Sequence, residues 1–255
     1  DTVLLPLPQP PSFNEADIGD KPPWMNQLPL MTASDVAAVQ TKYRNRLEAM
    51  RAVDDMIGGI LARLTSTGRL NRTVMVFTSD NGFLLGQHRT PGKLYPYEES
   101  IRVPLTIVAP GITTGQAVPQ MVLNNDLAPT ILELARAAPP VPMDGRSLTP
   151  VLQDTTLAWR RRFLIEHRAN DPRAPLDLPD FAAVRTASLL WVEHGEGSGP
   201  REFYDLSVDP YQLTSLHADT SSPRIFQKGA LAQMLEGLRT CGNGSCQTME
   251  FHTYK

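Results

Sequence analysis

Cysteine is nearly absent, with only Cys241 and Cys246 among 255 residues. That count excludes a disulfide-stapled miniature fold and a multi-cysteine zinc module. Aromatic residues are scarce at 7%, and no apolar run is long enough to cross a bilayer as a helix, so no membrane span is expected. Neither sign of charge is in excess: 24 Lys and Arg stand against 27 Asp and Glu, a net charge of −3. Such a balance gives no general attraction for nucleic acid or for an anionic ester, and no nucleic-acid partner is expected. Any anionic ligand must be held by local cations. A leader peptide is missing too; Asp1-Thr2-Val3-Leu4 reads as the middle of a protein, with any targeting segment expected in an upstream region.

What the chain does contain is 41% hydrophobic and 20% charged residues, the balance of a soluble globular protein able to bury one large core or two small ones. Its 23 Pro are interleaved with apolar residues and mark long irregular connections rather than disorder. Residues 1–30 read as an extended Pro-rich segment. Ser34 then caps a long helix that Gly68 stops, with Val36, Val39, Tyr43, Leu47, Met50, Val53, Ile57, Ile60 and Leu64 recurring at three- and four-residue steps. Asp54 and Asp55 inside it point to different faces and read as solvated or locally paired rather than as a metal pair.

The run Thr73-Val74-Met75-Val76-Phe77 reads as a strand buried on both faces, as in a parallel sheet. It delivers Ser79-Asp80-Asn81-Gly82 to one edge, the place where open α/β sheets hold ligands. Asp80 and Asn81 offer hard oxygen donors, suited to Ca²⁺ or Mg²⁺ rather than Zn²⁺. Asp-Asn-Gly also fits a tight turn. A hairpin turn, however, needs a second strand at once, and Gly86 to Pro96 is instead polar and irregular, with two Pro, two Gly, His88, Arg89 and Lys93. A second buried strand is expected at Pro104 to Ala109. A short helix follows from Asp126 to Ala137, with Leu127, Ile131 and Leu134 inward and Asp126 as its cap.

Beyond Arg146 the pattern changes. Phe163 to Glu166, Phe181 to Arg185, Leu189 to Glu193 and Glu202 to Leu206 are short alternating runs that predict an antiparallel meander. A final helix over about Pro223 to Arg239 covers it with Ile225, Leu231, Leu235 and Leu238. Cys241-Gly242-Asn243-Gly244-Ser245-Cys246 is a flexible loop that can bring its two sulfurs together; a disulfide is favoured over free thiols, stabilising by about 2 kcal/mol in the chain-entropy model and implying an oxidising compartment. Asn71-Arg72-Thr73 and Asn243-Gly244-Ser245 are glycosylation sequons, relevant only in a eukaryotic secretory pathway.

Thr78-Ser79-Asp80-Asn81-Gly82, then Gly86-Gln87-His88, Gly92-Lys93 and Tyr97-Glu98-Glu99-Ser100-Ile101-Arg102-Val103-Pro104-Leu105 together resemble the second signature region of the type I sulfatases. Pro11 to Asp17, Met31 to Asp35, Asn125 to Thr130, Met143 to Leu148 and the closing Cys loop resemble the N-acetylglucosamine-6-sulfatase branch. The resemblance implies an α/β fold: part of an alkaline-phosphatase-like sulfatase sheet in residues 1–150, then a small antiparallel sheet with one helix in residues 151–255. It implies sulfate ester hydrolysis on a sulfated sugar or aryl sulfate. Asp80 and Asn81 match the metal pair that holds Ca²⁺, and Lys93 matches the sulfate-binding lysine, serving both substrate binding and catalysis. An ammonium about 4 Å from one negative charge is worth roughly 4 kcal/mol at an effective dielectric near 20. His88 is the second substrate-binding candidate, contacting sulfate or sugar or else capping the loop; Glu98 and Arg102 read as loop scaffolding.

The family's nucleophile is a formylglycine made within a Cys/Ser-x-Pro-x-Arg motif in the N-terminal half, and that motif is not found here. The closest string, Ser221-Ser222-Pro223-Arg224, has the wrong spacing. The chain is therefore read as the C-terminal portion of a sulfatase, partnered by an N-terminal half, in an exported enzyme that is secreted, periplasmic or lysosomal. Two other readings are carried forward: a non-catalytic half-site fragment or subunit, and a phosphoester or phosphonate hydrolase of the same superfamily.

Overall fold

The computed structural model describes residues 5–111, 115–168 and 178–251; the first four residues of the expected extended segment lie outside these. In chain order the helices are α1 (Pro23–Asn26), α2 (Ala33–Ser66), α3 (Glu98–Ile101), α4 (Leu127–Leu134), α5 (Thr149–Gln153), α6 (Ser222–Thr240) and α7 (Cys246–Met249). The strands are β1 (Met75–Thr78), β2 (Leu84–Leu85), β3 (Pro91–Gly92), β4 (Leu105–Val108), β5 (Arg162–His167), β6 (Phe181–Thr186), β7 (Leu189–His194) and β8 (Arg201–Asp205). The chain forms two compact units, one of Asp1–Gly19 with Gln27–Thr114, the other of Asp20–Asn26 with Gly115–Lys255. The functional division expected from the sequence falls at 150/151.

In the first unit the cap of α2 lies two residues earlier than the sequence suggests. Thr32, not Ser34, is the cap: its hydroxyl accepts the Asp35 N–H at 3.2 Å while the Asp35 carboxylate accepts the Thr32 N–H at 2.8 Å. This reciprocal box satisfies two donors at once, which a lone Ser34 cannot do. Gly68 follows the helix at φ +63°, the left-handed stop that glycine takes without strain. The apolar stripe of α2 is only partly covered. Val39 is buried, whereas Met50 and Ile60 stay about half exposed; Asp54 and Asp55 are exposed.

The strand at Met75–Thr78 forms where β-branched and aromatic residues cluster, but its setting corrects the expectation of a doubly buried parallel strand. β1 pairs antiparallel with β4, Met75 opposite Val108 and Thr78 opposite Leu105, in a two-stranded sheet. Val76 and Phe77 are 40% and 41% exposed, and Val108 49%. With one hydrogen-bonded neighbour and only part of each face covered, the run has the composition of a central strand without the surroundings of one.

The second unit contains the expected meander. β5, β6, β7 and β8 lie in sequence order, each pair antiparallel. Period-two alternation sends Ala182, Val184, Trp191 and Phe203 to one face, where Leu231, Leu235 and Leu238 of α6 pack on them. Ile225 is not part of this core and is 55% exposed. Six residues before Leu231, it sits about 240° around the helix from the buried stripe. In α4, Ile131 and Leu134 are likewise exposed, and the inward position belongs to Thr130, whose hydroxyl donates to Asp126 O and accepts the Leu148 N–H.

Asp126 stands at the N-cap position of α4, but its side chain makes no capping hydrogen bond to that helix. Wholly buried, it accepts the Leu123 N–H and the Arg146 N–H and faces the buried Arg160 guanidinium with both oxygens. Arg160 Nε also donates to Glu250 at 3.0 Å, as does Arg146 Nε. Burial opposes the charge on Arg160, but the hydrogen bonds and charges of Asp126 and Glu250 outweigh it and raise its pKa. Glu250 follows α7, and Cys241 and Cys246 form the expected disulfide at the join between α6 and α7.

Candidate active site

The end of β1 sets the site. After Thr78, whose hydroxyl donates to Pro104 O at 2.8 Å, the chain turns out through Ser79, Asp80 and Asn81. The Ser79 hydroxyl donates to Asn81 O at 2.9 Å, and the Asn81 N–H donates to Asp80 Oδ1 at 2.9 Å. Asn81 Nδ2 donates to Gly82 O at 2.8 Å, so its carboxamide is oriented with Oδ1 free for another group. That group is Lys93, whose Nζ donates to Asn81 Oδ1 at 3.1 Å. Twelve residues of loop and hairpin thus return an ammonium to the strand end.

Gly82 explains why the motif ends in glycine. Its φ is not left-handed, so positive-φ turn chemistry is not the reason; a Cβ there would sit 2.1 Å from Glu99 O. The Gly82 N–H donates to Ser100 O at 2.9 Å, drawing the strand end against α3. Glu98 O accepts the Arg102 N–H at the end of that helix, an ordinary helical backbone bond.

Between Asn81 and Lys93 the loop is more ordered than its composition suggests. Leu84–Leu85 and Pro91–Gly92 pair as β2 and β3, and the turn between them carries His88 and Arg89 at φ +51° and +60°. His88 is fully buried, its ring 4.2 Å from that of Tyr97 and its Nδ1 2.6 Å from Glu15 Oε2. Nε2 is buried with no hydrogen-bond partner. Beside it Tyr95 and Tyr97 stack at 6.2 Å, and burial pushes the Tyr95 phenol up to about 12.

The structure therefore brings Asn81 and Lys93 into contact, leaves Asp80 beside Asn81 in the chain, and buries His88 in the hairpin's own turn. Nothing in the linear sequence marks Glu15 or Tyr97 as a site residue. Glu15 lies 73 positions from His88, and no local period links them. Asp80 and Asn81 present hard oxygens, the donor chemistry that suits Ca²⁺, but that ion takes six to eight ligands. No cluster of three or more His, Cys, Asp or Glu able to hold a metal occurs among the described residues. These residues fit part of a calcium shell and leave the remainder to be supplied from elsewhere. For a formylglycine the residues do not fit, since Ser221 and Ser222 open α6 and no Arg stands at the required spacing.

Two family profiles cover this region. The profile described as sulfatase matches residues 9–137, and that described as N-sulphoglucosamine sulphohydrolase, C-terminal, matches residues 86–240. The chain belongs to the sulfatase family. It is 34% identical to the human N-acetylglucosamine-6-sulfatase over 247 residues, covering 86% of this chain and 44% of that one. To the N-acetylglucosamine-6-O-sulfatase of Bacteroides thetaiotaomicron it is 32% identical over 208 residues, covering 78% and 37%. This sulfatase chain thus spans less than half the length of those relatives.

Among solved structures it is similar to BT4656 in complex with its substrate D-glucosamine-2-N,6-O-disulfate, at TM-score 0.70 and 30% identity over 78% of this chain and 40% of that one. The phosphonate monoester hydrolase from Silicibacter pomeroyi gives TM-score 0.70 at 26% identity over 81% and 43%. The fold is accordingly the alkaline-phosphatase-like α/β arrangement, in part, with the small antiparallel C-terminal sheet. Sulfatases generally use Ca²⁺ and formylglycine.

Proposed function

We propose that this chain supplies one wall of a sulfatase active site and that the complete enzyme hydrolyses a sulfate ester carried by a sugar. The observation that carries the reading is the 3.1 Å contact of Lys93 Nζ with Asn81 Oδ1 at the carboxyl end of β1. It puts a cation beside oxygen donors at the strand edge where α/β folds bind ligands. Asp80 and Asn81 are the residues that would hold Ca²⁺. When bound, that ion withdraws electron density from a sulfate oxygen. Lys93 binds the sulfate and steadies negative charge as it develops on the ester oxygens. His88, enclosed and paired with Glu15, serves in this reading by holding the hairpin rather than by touching sulfate. Residues 1–150 belong to the catalytic domain and 151–255 to the C-terminal subdomain.

The sugar class rests on similarity to the N-acetylglucosamine-6-sulfatases and to the structure that holds a disulfated glucosamine. An N-terminal half of the same enzyme is the partner that would bring the formylglycine and the remaining calcium ligands; without it the chain is an inactive half-site. The exposed apolar residues Val76, Phe77 and Val108 support a partner over β1 and β4. Export from the cytosol is supported by the Cys241–Cys246 disulfide and by similarity to the extracellular sulfatase SULF-1 homolog of Drosophila melanogaster, 36% identical over 166 residues, covering 61% of this chain and 14% of that one. No helix among the described residues is long and apolar enough to cross a membrane.

The phosphonate monoester hydrolase similarity favours a second reading, hydrolysis of a phosphonate ester at the same strand edge. Assaying the intact enzyme with calcium on glucosamine 6-sulfate and on a phosphonate monoester decides between them, the faster ester naming the class. Lys93→Ala is expected to lower turnover about 10²-fold while calcium binding by calorimetry is retained. Unaltered turnover removes Lys93 from the mechanism.

A further inference from the structure

The turn between β2 and β3 is gripped by a segment more than seventy residues earlier in the chain. Asn14 N–H donates to Gly86 O at 2.8 Å, His88 N–H donates to Ser12 O at 2.7 Å, and Phe13 forms a bridge with Gln87. Arg89 reaches back with its whole guanidinium, donating to Glu15 O at 2.7 Å, Leu28 O at 2.7 Å and Ala16 O at 2.8 Å. At the centre is the Glu15–His88 pair at 2.6 Å, with Glu15 6% exposed and His88 sealed. A buried carboxylate on a buried imidazole is justified only by close pairing. Two consecutive non-glycine residues in the left-handed region, His88 and Arg89, persist only where the surroundings over-determine them, and such strain gathers at functional sites.

The strained turn leads directly to the proposed site. β3 ends at Gly92, itself at φ +145°, and Lys93 is the next residue. The side chain that reaches Asn81 is therefore placed by the hairpin, and the hairpin is placed by what holds its turn.

Resting on the site proposed above, we infer that Glu15 is a positioning residue for Lys93. It acts through His88: by accepting the Nδ1 proton it keeps that proton in place, locks the left-handed turn, and so delivers Lys93 Nζ to Asn81 Oδ1. Glu15 itself touches neither ester nor metal in this assignment. Nε2 is left as the ring atom without a protein partner.

Nitrogen-15 NMR of the intact protein, labelled at histidine, lysine and asparagine, tests the linkage without requiring turnover. The parent protein is expected to show His88 protonated at Nδ1. In Glu15→Ala the Nδ1 proton and the shift of the Asn81 carboxamide are expected to change together, and in Glu15→Gln, which keeps an acceptor oxygen, Asn81 is expected to stay near its parent shift. A His88 bearing no proton on Nδ1 in the parent, or an Asn81 signal indifferent to Glu15→Ala, overturns the inference. Circular dichroism of Glu15→Ala identifies a variant that has lost its fold, in which case Glu15→Gln alone decides through the Nδ1 proton and the Asn81 shift. A kinetic cycle supplies the second arm: Glu15→Ala is expected to lower turnover on the sulfate ester by about 10-fold to 10²-fold, with no further loss when added to Lys93→Ala. Losses that multiply show that Glu15 acts apart from Lys93 and also overturn the inference. Absence of sulfate ester hydrolysis by the parent enzyme defeats the functional reading alone, because the NMR result still reports whether Glu15 sets the Lys93–Asn81 contact.

Discussion

Two strand systems in this protein carry similar sequences and have opposite fates. Met75-Val76-Phe77 in β1 and Leu190-Trp191-Val192 in β7 are both unbroken apolar runs. The β7 run lies between β6 and β8 with α6 packed over the sheet, and all three of its residues are buried. The β1 run has one neighbour and stays exposed at Val76 and Phe77. The same hydrophobic signal therefore says that a strand is to be covered, and it does not say by what. In the β7 sheet α6 closes the face that carries Trp191, and Leu190 and Val192 are buried as well; over β1 the apolar face stays exposed.

The largest test of that contrast lies in the closed unit. Asp126→Ala leaves Arg160 buried with its main counter-charge removed, and breaking such a pair is expected to cost about 3–5 kcal/mol. Urea denaturation of the second unit's signal measures it; a loss under about 1 kcal/mol would mean that the Asp126, Arg146, Arg160 and Glu250 network is solvated in solution.

A matched pair of truncations sharpens the comparison directly. Leu235→Ala, in the α6 core, is expected to cost about 2–5 kcal/mol through lost burial and the cavity left behind. Phe77→Ala, on the half-open strand, is expected to cost less than about 1 kcal/mol in this chain. Equal costs in thermal or urea unfolding would show that β1 is covered as thoroughly as β7.

An effect confined to alkaline pH concerns the sealed kernel of the first unit, where Leu84, Tyr95, Tyr97 and His88 are buried although β1 is not. Burial raises the Tyr95 pKa to about 12. A raised folded-state value means the neutral phenol is favoured in the fold. The associated stability is present below the unfolded value near 10 and is lost as pH climbs from there to about 12. Tyr95 is expected to ionise late by ultraviolet absorbance, and Tyr95→Phe is expected to remove that late component and to weaken the alkaline loss of stability. Six tyrosines titrating together would place Tyr95 in solvent.

Much of the second unit was readable beforehand because its signals are local. Period-two runs separated by Gly- and Pro-containing breaks gave the four strands, and a three- and four-residue stripe gave α6 with Leu231, Leu235 and Leu238. The misreadings also have local causes. Ile225 matched the composition of the stripe but not its angle. Ser34 matched a capping preference, yet the reciprocal bonds of Thr32 and Asp35 satisfy more backbone. Hydrophobicity sends Ile131 and Leu134 inward, yet Thr130 holds that place because its hydroxyl has two backbone partners. At the candidate site, motif order picks out Asp80, Asn81 and Lys93, and the structure brings Asn81 and Lys93 together. Glu15 was not legible as the partner of His88, since nothing in a linear sequence links a carboxylate to an imidazole 73 positions away.

By itself the sequence determined the helices α2, α4 and α6 and the strands β1 and β4 to β8, where hard oxygen donors and a lysine are stored, and that two cysteines five positions apart can join. These follow from backbone propensity, side-chain period and short-range reach. Tertiary structure alone decided that β1 pairs antiparallel with β4, that Asp126 neutralises Arg160, and that a left-handed turn held by Glu15 brings Lys93 to Asn81. Those outcomes depend on distances between residues remote in the chain, and such distances are fixed only when burial, charge and hydrogen bonding are satisfied together.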